Sequence, residues 1–215
     1  MSTTFDVYPS TDLIPSFAQL LTVATNHLTA FLRSYDITTP VTLDVAMRHK
    51  ADETNRDLPF DLNAPAWWPN DHYAWFFVQG VPGGTDAYAR IMNDLHRECL
   101  VEEVAGEKGS GLGDLPKRSL QIGRYWAFRR SAGQLAITNV AYVILAASLA
   151  ELTNGFVHSS DLAWDYRLLP AQPAEFLKWY FRPELATDAN CKDWSQRCIN
   201  GIAEELQSAQ KFGRA

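Results

Sequence analysis

At 215 residues, 47% hydrophobic and 12% aromatic, the chain carries enough apolar material for one substantial core, which excludes a disordered segment. A formal charge of −6 argues against general nucleic-acid binding, because phosphate neutralisation needs clustered Lys and Arg and the densest cluster runs only from Arg124 to Arg130. The same acidity favours a partner with a basic surface.

In chain order, Phe17, Leu20, Leu21, Ala24, Leu28, Phe31 and Leu32 mark an amphipathic helix over about Pro15 to Ser34, with Pro15 suited to its first turn. The period then falls to two: Val41, Leu43, Val45 and Met47 predict a half-buried strand. His49 to Asn70 is polar, proline-bearing and aperiodic, and reads as a long surface loop. His72 to Gln79 predicts an aromatic strand.

Gly83-Gly84 breaks that strand as a tight turn. Gly84 or Thr85 is expected to cap a helix reaching about Val104, with Ala87, Ile91, Met92, Leu95 and Cys99 inward. Gly106 to Asp114 reads as a flexible loop, and Arg118 to Arg130 as a strand bulged near Gly123. Ser131 to Ala150 has no charge, yet Ile137, Val140, Ala141, Ile144, Leu145 and Leu149 keep helical spacing and Gln134, Asn139, Tyr142 and Ser148 are polar. This predicts a core helix and not a membrane span, ending at Asn154-Gly155. A short strand at Phe156 to Ser159 and helices over about Pro173–Phe181 and Asp193–Phe212 follow. The order fits one α+β domain, residues 1–215: a small mixed or antiparallel sheet with several helices, the C-terminal ones (about 173–212) packed on it.

Cys99, Cys191 and Cys198 make no disulfide framework, and the N-terminus shows no basic region leading into an apolar run; a reducing, cytoplasmic setting is expected. The five histidines form no HxH, HxxxH or HExxH spacing, so no metal and no cofactor is expected. Glycines before Thr85 match neither phosphate-binding spacing.

"GFVHSSDLAWDY", Gly155 to Tyr166, concentrates polar and aromatic side chains. Neither Ser159 nor Ser160 sits in a nucleophile-elbow context, so no catalytic residue is assigned. Aromatic anchors flanked by carboxylates suit a recognition loop, which makes Asp161, Trp164 and Asp165 candidate partner-binding residues. Trp68, Asp71 and His72 join them, since one strand face cannot bury both Trp67 and Trp68.

The segment Tyr125 to Glu184 carries a long helix, the G-x-x-x-S-x-D-x-x-W-D element from Gly155 to Asp165, and "PAEFLKWY" from Pro173. In that layout it resembles immunity proteins of bacterial toxin–immunity systems. The resemblance implies a non-catalytic protein that binds and occludes a cognate toxin domain; the charge balance and the core-helix reading of Ser131 to Ala150 leave neither nucleic acid nor membrane as an expected partner. The alternative is a small-molecule-binding protein or hydrolase, its pocket formed by the 52–71, 83–84 and 159–165 loops.

Overall fold

A computed structural model describes residues 3–52, 54, 56–105, 107–161 and 168–212. Its first strand, β1 (Thr3–Tyr8), was not anticipated above, though "TTFDVY" alternates: Phe5 and Val7 are buried under the helices while Thr4, Asp6 and Tyr8 point to the other face. It lies near one end of an antiparallel sheet, paired with β6 (Arg124–Arg130) and β7 (Phe156–His158) through Phe5↔Phe128 and Asp6↔His158. With β2 (Leu43–His49), β3 (Asp57–Leu58), β4 (His72–Val78) and β5 (Thr85–Ile91), the order is β3-β2-β4-β5-β6-β1-β7. The expected α+β class holds, and every pairing among the described strands is antiparallel.

One face carries the main helical layer. Helix α1 (Phe17–Arg33) starts at a capping box: Ser16 Oγ accepts from Gln19 N at 3.1 Å, and Gln19 Oε1 accepts from Ser16 N at 2.8 Å. It buries Phe17, Leu20, Ala24, Leu28, Phe31 and Leu32.

Two α-helices lie between β5 and β6. Thr85 to Ile91 is not helical, because the Gly83-Gly84 turn sends the chain back beside β4 and Thr85 pairs with Phe76. A Cβ on Gly84 would stand 2.5 Å from the Phe76 carbonyl and 2.7 Å from the Trp75 ring, so the turn requires glycine there. The expected helix begins only at α2 (Asp94–Glu103), capped by Asn93 accepting from His96 N at 2.8 Å. Arg118 to Ile122, expected as the start of a strand, belongs instead to helix α3 (Leu115–Ile122), closed by Gly123 at φ +72°. A period-two reading of "RSLQIGRYWAFRR" merged that helix with the true strand β6.

Helix α4 (Ala136–Leu152) is buried on nearly every side, between the sheet and the helices around it. Its polar groups are satisfied: Asn139 accepts from Arg130 at 2.8 Å, Tyr142 Oη lies 3.0 Å from Thr3 Oγ1, and Ser148 donates to the Ile144 carbonyl at 2.7 Å. No described helix is long and apolar enough to cross a membrane. Asn154, at φ +49°, ends the segment as expected. Helix α5 (Pro173–Trp179) adds Phe176 to the core, and α6 (Ala189–Phe212) adds Ile199, Ile202 and Leu206.

The sheet's second face is covered unevenly. Helices α2 and α3, with a 3-10 turn at Glu107–Leu112, cover β6, β1 and β7 through a smaller cluster that includes Tyr8, Leu100, Leu112, Tyr125 and Phe156. Over β2 and β4 no described element packs, and Arg48, Tyr73, Trp75 and Phe77 stay half-buried on that face. The step between covered and uncovered sheet forms a cleft.

Candidate functional site

The cleft floor is made of outward side chains from three adjacent strands: Asp6 and Tyr8 on β1, Tyr125 on β6, and Arg90 on β5. Helix α2 supplies one wall through His96, Cys99 and Glu103; Lys50 and Asn70 close the opposite side, and Ser160 enters from the end of β7. The main hollow measures about 610 Å³. A second, of about 410 Å³, shares Asp6, Lys50, Arg90, Tyr125 and Ser160 with it and extends to Tyr88, Arg129 and Asp161. Exposed Ile91 and Leu95 stand at the rim.

On the α2 side the groups are tightly ordered. Tyr8 Oη lies 2.9 Å from His96 Nε2, and the His96 ring stacks on Tyr125 with centroids 4.1 Å apart and planes 18° from parallel. Burial lowers the His96 pKa and raises that of Tyr8 well above its ordinary value. The neutral pair therefore has Tyr8 donating and Nε2 accepting.

Glu103 Oε2 lies 2.7 Å from His158 Nε2, and Ser159 Oγ donates to Asp161 Oδ1 at 2.9 Å. Asp6 is different. Burial, then the nearby Asp161 and Glu103 carboxylates, push its pKa up to about 7 against the opposing pull of Arg90.

Toward the open sheet the chemistry is cationic and aromatic. Lys50 Nζ and the Arg90 guanidinium lie 5.1 and 5.2 Å from the Tyr88 ring centroid, and Arg48 lies 5.0 Å from that of Trp75. Arg48 pairs with Asp57 at 2.8 Å and Arg129 with Asp86 at 3.1 Å. Among the described residues no carboxylate stands within ion-pair distance of Lys50 or Arg90. Desolvation and the neighbouring Arg90 charge lower the Lys50 pKa.

The residues singled out from sequence are distributed around this geometry. Trp68 is 5% exposed, stacked on Phe17 at 5.6 Å in the main core, which removes it from the surface available to a partner. Its half-buried neighbour Trp67 meets Trp126 edge-on at 5.5 Å. Asp71 holds His72 Nδ1 at 2.7 Å and faces His49 at 3.6 Å, next to the Lys50 wall; that hydrogen bond lowers the Asp71 pKa. Asp161 lines the second hollow. Trp164 and Asp165 lie outside the described residues.

Of the three loops expected to form a pocket, the first contributes Asn70 and the third Ser160 and Asp161. Gly83 and Gly84 sit elsewhere, against Gln134 and Trp75. Asp6, Tyr8, Arg90 and Tyr125 are not among the residues expected from sequence, because the expected elements lack β1 and place a helix where β5 runs. The alternation of "TTFDVY" and "TDAYARI" was the available signal. Among the described residues no cluster of His, Cys, Asp or Glu is arranged to hold a metal ion. Family models, curated proteins and solved structures yield no match to this chain, so the cleft is interpreted from its own geometry.

Proposed function

We propose that the protein is a non-catalytic binding module whose open sheet face and adjoining cleft cover the functional surface of another protein, as the immunity partners of bacterial toxins do. The observation that carries this reading is the second face of β2 and β4, over which no described helix packs. There Arg48, Tyr73, Trp75 and Phe77 lie in adjoining rows, beside Tyr88 of β5 at the edge of the smaller cluster. Arg, Tyr and Trp are the side chains that anchor protein interfaces, because they bury large area with few rotors and keep a polar handle. Over β6, β1 and β7 the same face is covered by α2 and α3.

The test is co-expression with the product of an adjacent gene that arrests growth when expressed alone, scored as growth. The wild-type chain restores growth, whereas Trp75→Ser with Arg48→Glu, checked for folding by circular dichroism, does not. Failure of the wild-type chain to restore growth refutes the reading. A second reading, a small-molecule-binding protein or hydrolase, draws on the enclosed Tyr8–His96 pair beside Asp6. Rescue that survives the face variants but is lost in Asp6→Asn or His96→Gln favours that second reading.

A further inference from the structure

We infer that the cleft between α2 and the open sheet is a receptor for a single acidic side chain of the bound protein, its carboxylate seated between Lys50 and Arg90. This rests on the reading of the face as a protein-binding surface and specifies the chemistry at its centre.

Lys50, in the turn just after β2, and Arg90, on β5, converge on both hollows and lie over the same tyrosine ring. Two cations held together in a partly desolvated cleft repel each other, as the lowered Lys50 pKa reflects. Nearby arginines have internal counterions: Arg48 has Asp57 and Arg129 has Asp86.

The other carboxylates of the cleft already have partners. Glu103 is held by His158 at 2.7 Å, and Asp161 accepts from Ser159 at 2.9 Å. Asp6 is the remaining carboxylate among the described residues that line the two hollows, and near neutrality much of it is protonated, so it adds a hydrogen-bond donor where an ionised carboxylate would repel the ligand. An entering carboxylate thus meets two cations and an acid O–H. A basic partner, favoured by the net charge of −6, can present one acidic residue here while its cations meet the surrounding acidic surface.

The arrangement makes binding proton-linked. The groups facing Asp6 are Arg90 on β5, Tyr125 on β6, His158 across the β1–β7 pairing, Glu103 and His96 on α2, and Asp161. As pH rises through Asp6's pKa the cleft gains a negative charge and loses its donor. If only the protonated form binds, affinity falls about tenfold between pH 6 and pH 8.

The experiment is an NMR titration of the full-length protein with N-acetyl-glutamate methylamide, its glutamine analogue and inorganic phosphate. The expected result is saturable binding of the glutamate probe, with shifts concentrated in β5 and around Lys50 and little response to the glutamine analogue. Binding weakens at least fivefold in Lys50→Gln and Arg90→Gln, and its pH dependence disappears in Asp6→Asn. Equal response to both amino-acid probes, undiminished binding in the folded Lys50 and Arg90 variants, or saturation by phosphate without glutamate overturns the assignment. No partner is present, so a negative result refutes the acid receptor while leaving growth rescue to judge the wider reading.

Discussion

Tyr8 on β1 and His96 on α2 are joined by a 2.9 Å hydrogen bond that fastens the small helical layer to the sheet beside the cleft. Replacing Tyr8 with Phe keeps the ring stacked on Phe156 and Tyr125 but leaves His96 Nε2 without its donor. The expected cost is about 1 kcal/mol in urea unfolding. Hydrogen exchange should accelerate in residues 94–103 more than in α4. Uniform acceleration would contradict a local latch.

Asp6 sets a pH dependence of stability with a definite sign. Its folded pKa of about 7 lies above the ordinary 3.8, so the folded chain holds a proton that the unfolded chain releases between those values. Stability contributed by this group is therefore complete below about pH 4, declines as pH rises toward 7 and levels off above it. Three units at ~1.36 kcal/mol each set a ceiling of about 4 kcal/mol, and solvent entering the cleft lowers it. Asp6→Asn should raise the melting temperature at pH 8 and flatten the profile between pH 5 and 7.5. A variant less stable than wild type at pH 8 would oppose this assignment.

Glu205 of α6 caps α4 across the interface, accepting from Ala136 N at 2.9 Å and Ile137 N at 3.1 Å. Its carboxylate meets the positive end of the α4 dipole. Glu205→Ala should cost about 1–2 kcal/mol, and Glu205→Gln less, because one acceptor oxygen remains. Equal loss in both would assign the effect to packing alone. Guanidinium unfolding of the three proteins separates these outcomes.

Gly84 supports the Trp75 end of the open face. An alanine methyl there would press on the Phe76 carbonyl and the Trp75 ring, and the backbone cannot yield cheaply. Gly84→Ala should destabilise the β4–β5 hairpin by about 1–3 kcal/mol and shift Trp75 fluorescence. Gly80→Ala is the control for this turn: it has open space around the added Cβ, although its φ of +76° carries a strain of its own. A larger fluorescence change in Gly80→Ala would contradict the contact.

Much of the architecture was legible where one period ran unbroken. Helices α1 and α4 and strands β2, β4 and β7 follow the spacing of Leu20 to Leu32, Ile137 to Leu149, Leu43 to Met47 and the aromatic run after His72. At Thr85 to Ile91 it failed, because Ala87 and Ile91, four apart, satisfy both periods and only the sheet decides between them. The site was hidden for the same reason: Asp6, Arg90 and Tyr125 are distant in sequence and become neighbours only through the β1–β6–β5 register. Asp71 and Asp161 were readable as loop carboxylates and do flank the cleft, while Trp68 looked available only because the packing of Phe17 against it has no sequence signature.

On the proposed function, the aromatic and cationic sheet face is covered by another protein. Hydroxyl-radical footprinting of the complex with the adjacent gene's product reads this directly. Strong protection is expected at Trp75, Phe77 and Tyr88 and none at Leu185, which is exposed in the connection between α5 and α6. Protection at Leu185 or Leu13 with Trp75 and Tyr88 left reactive would place the partner on a different surface.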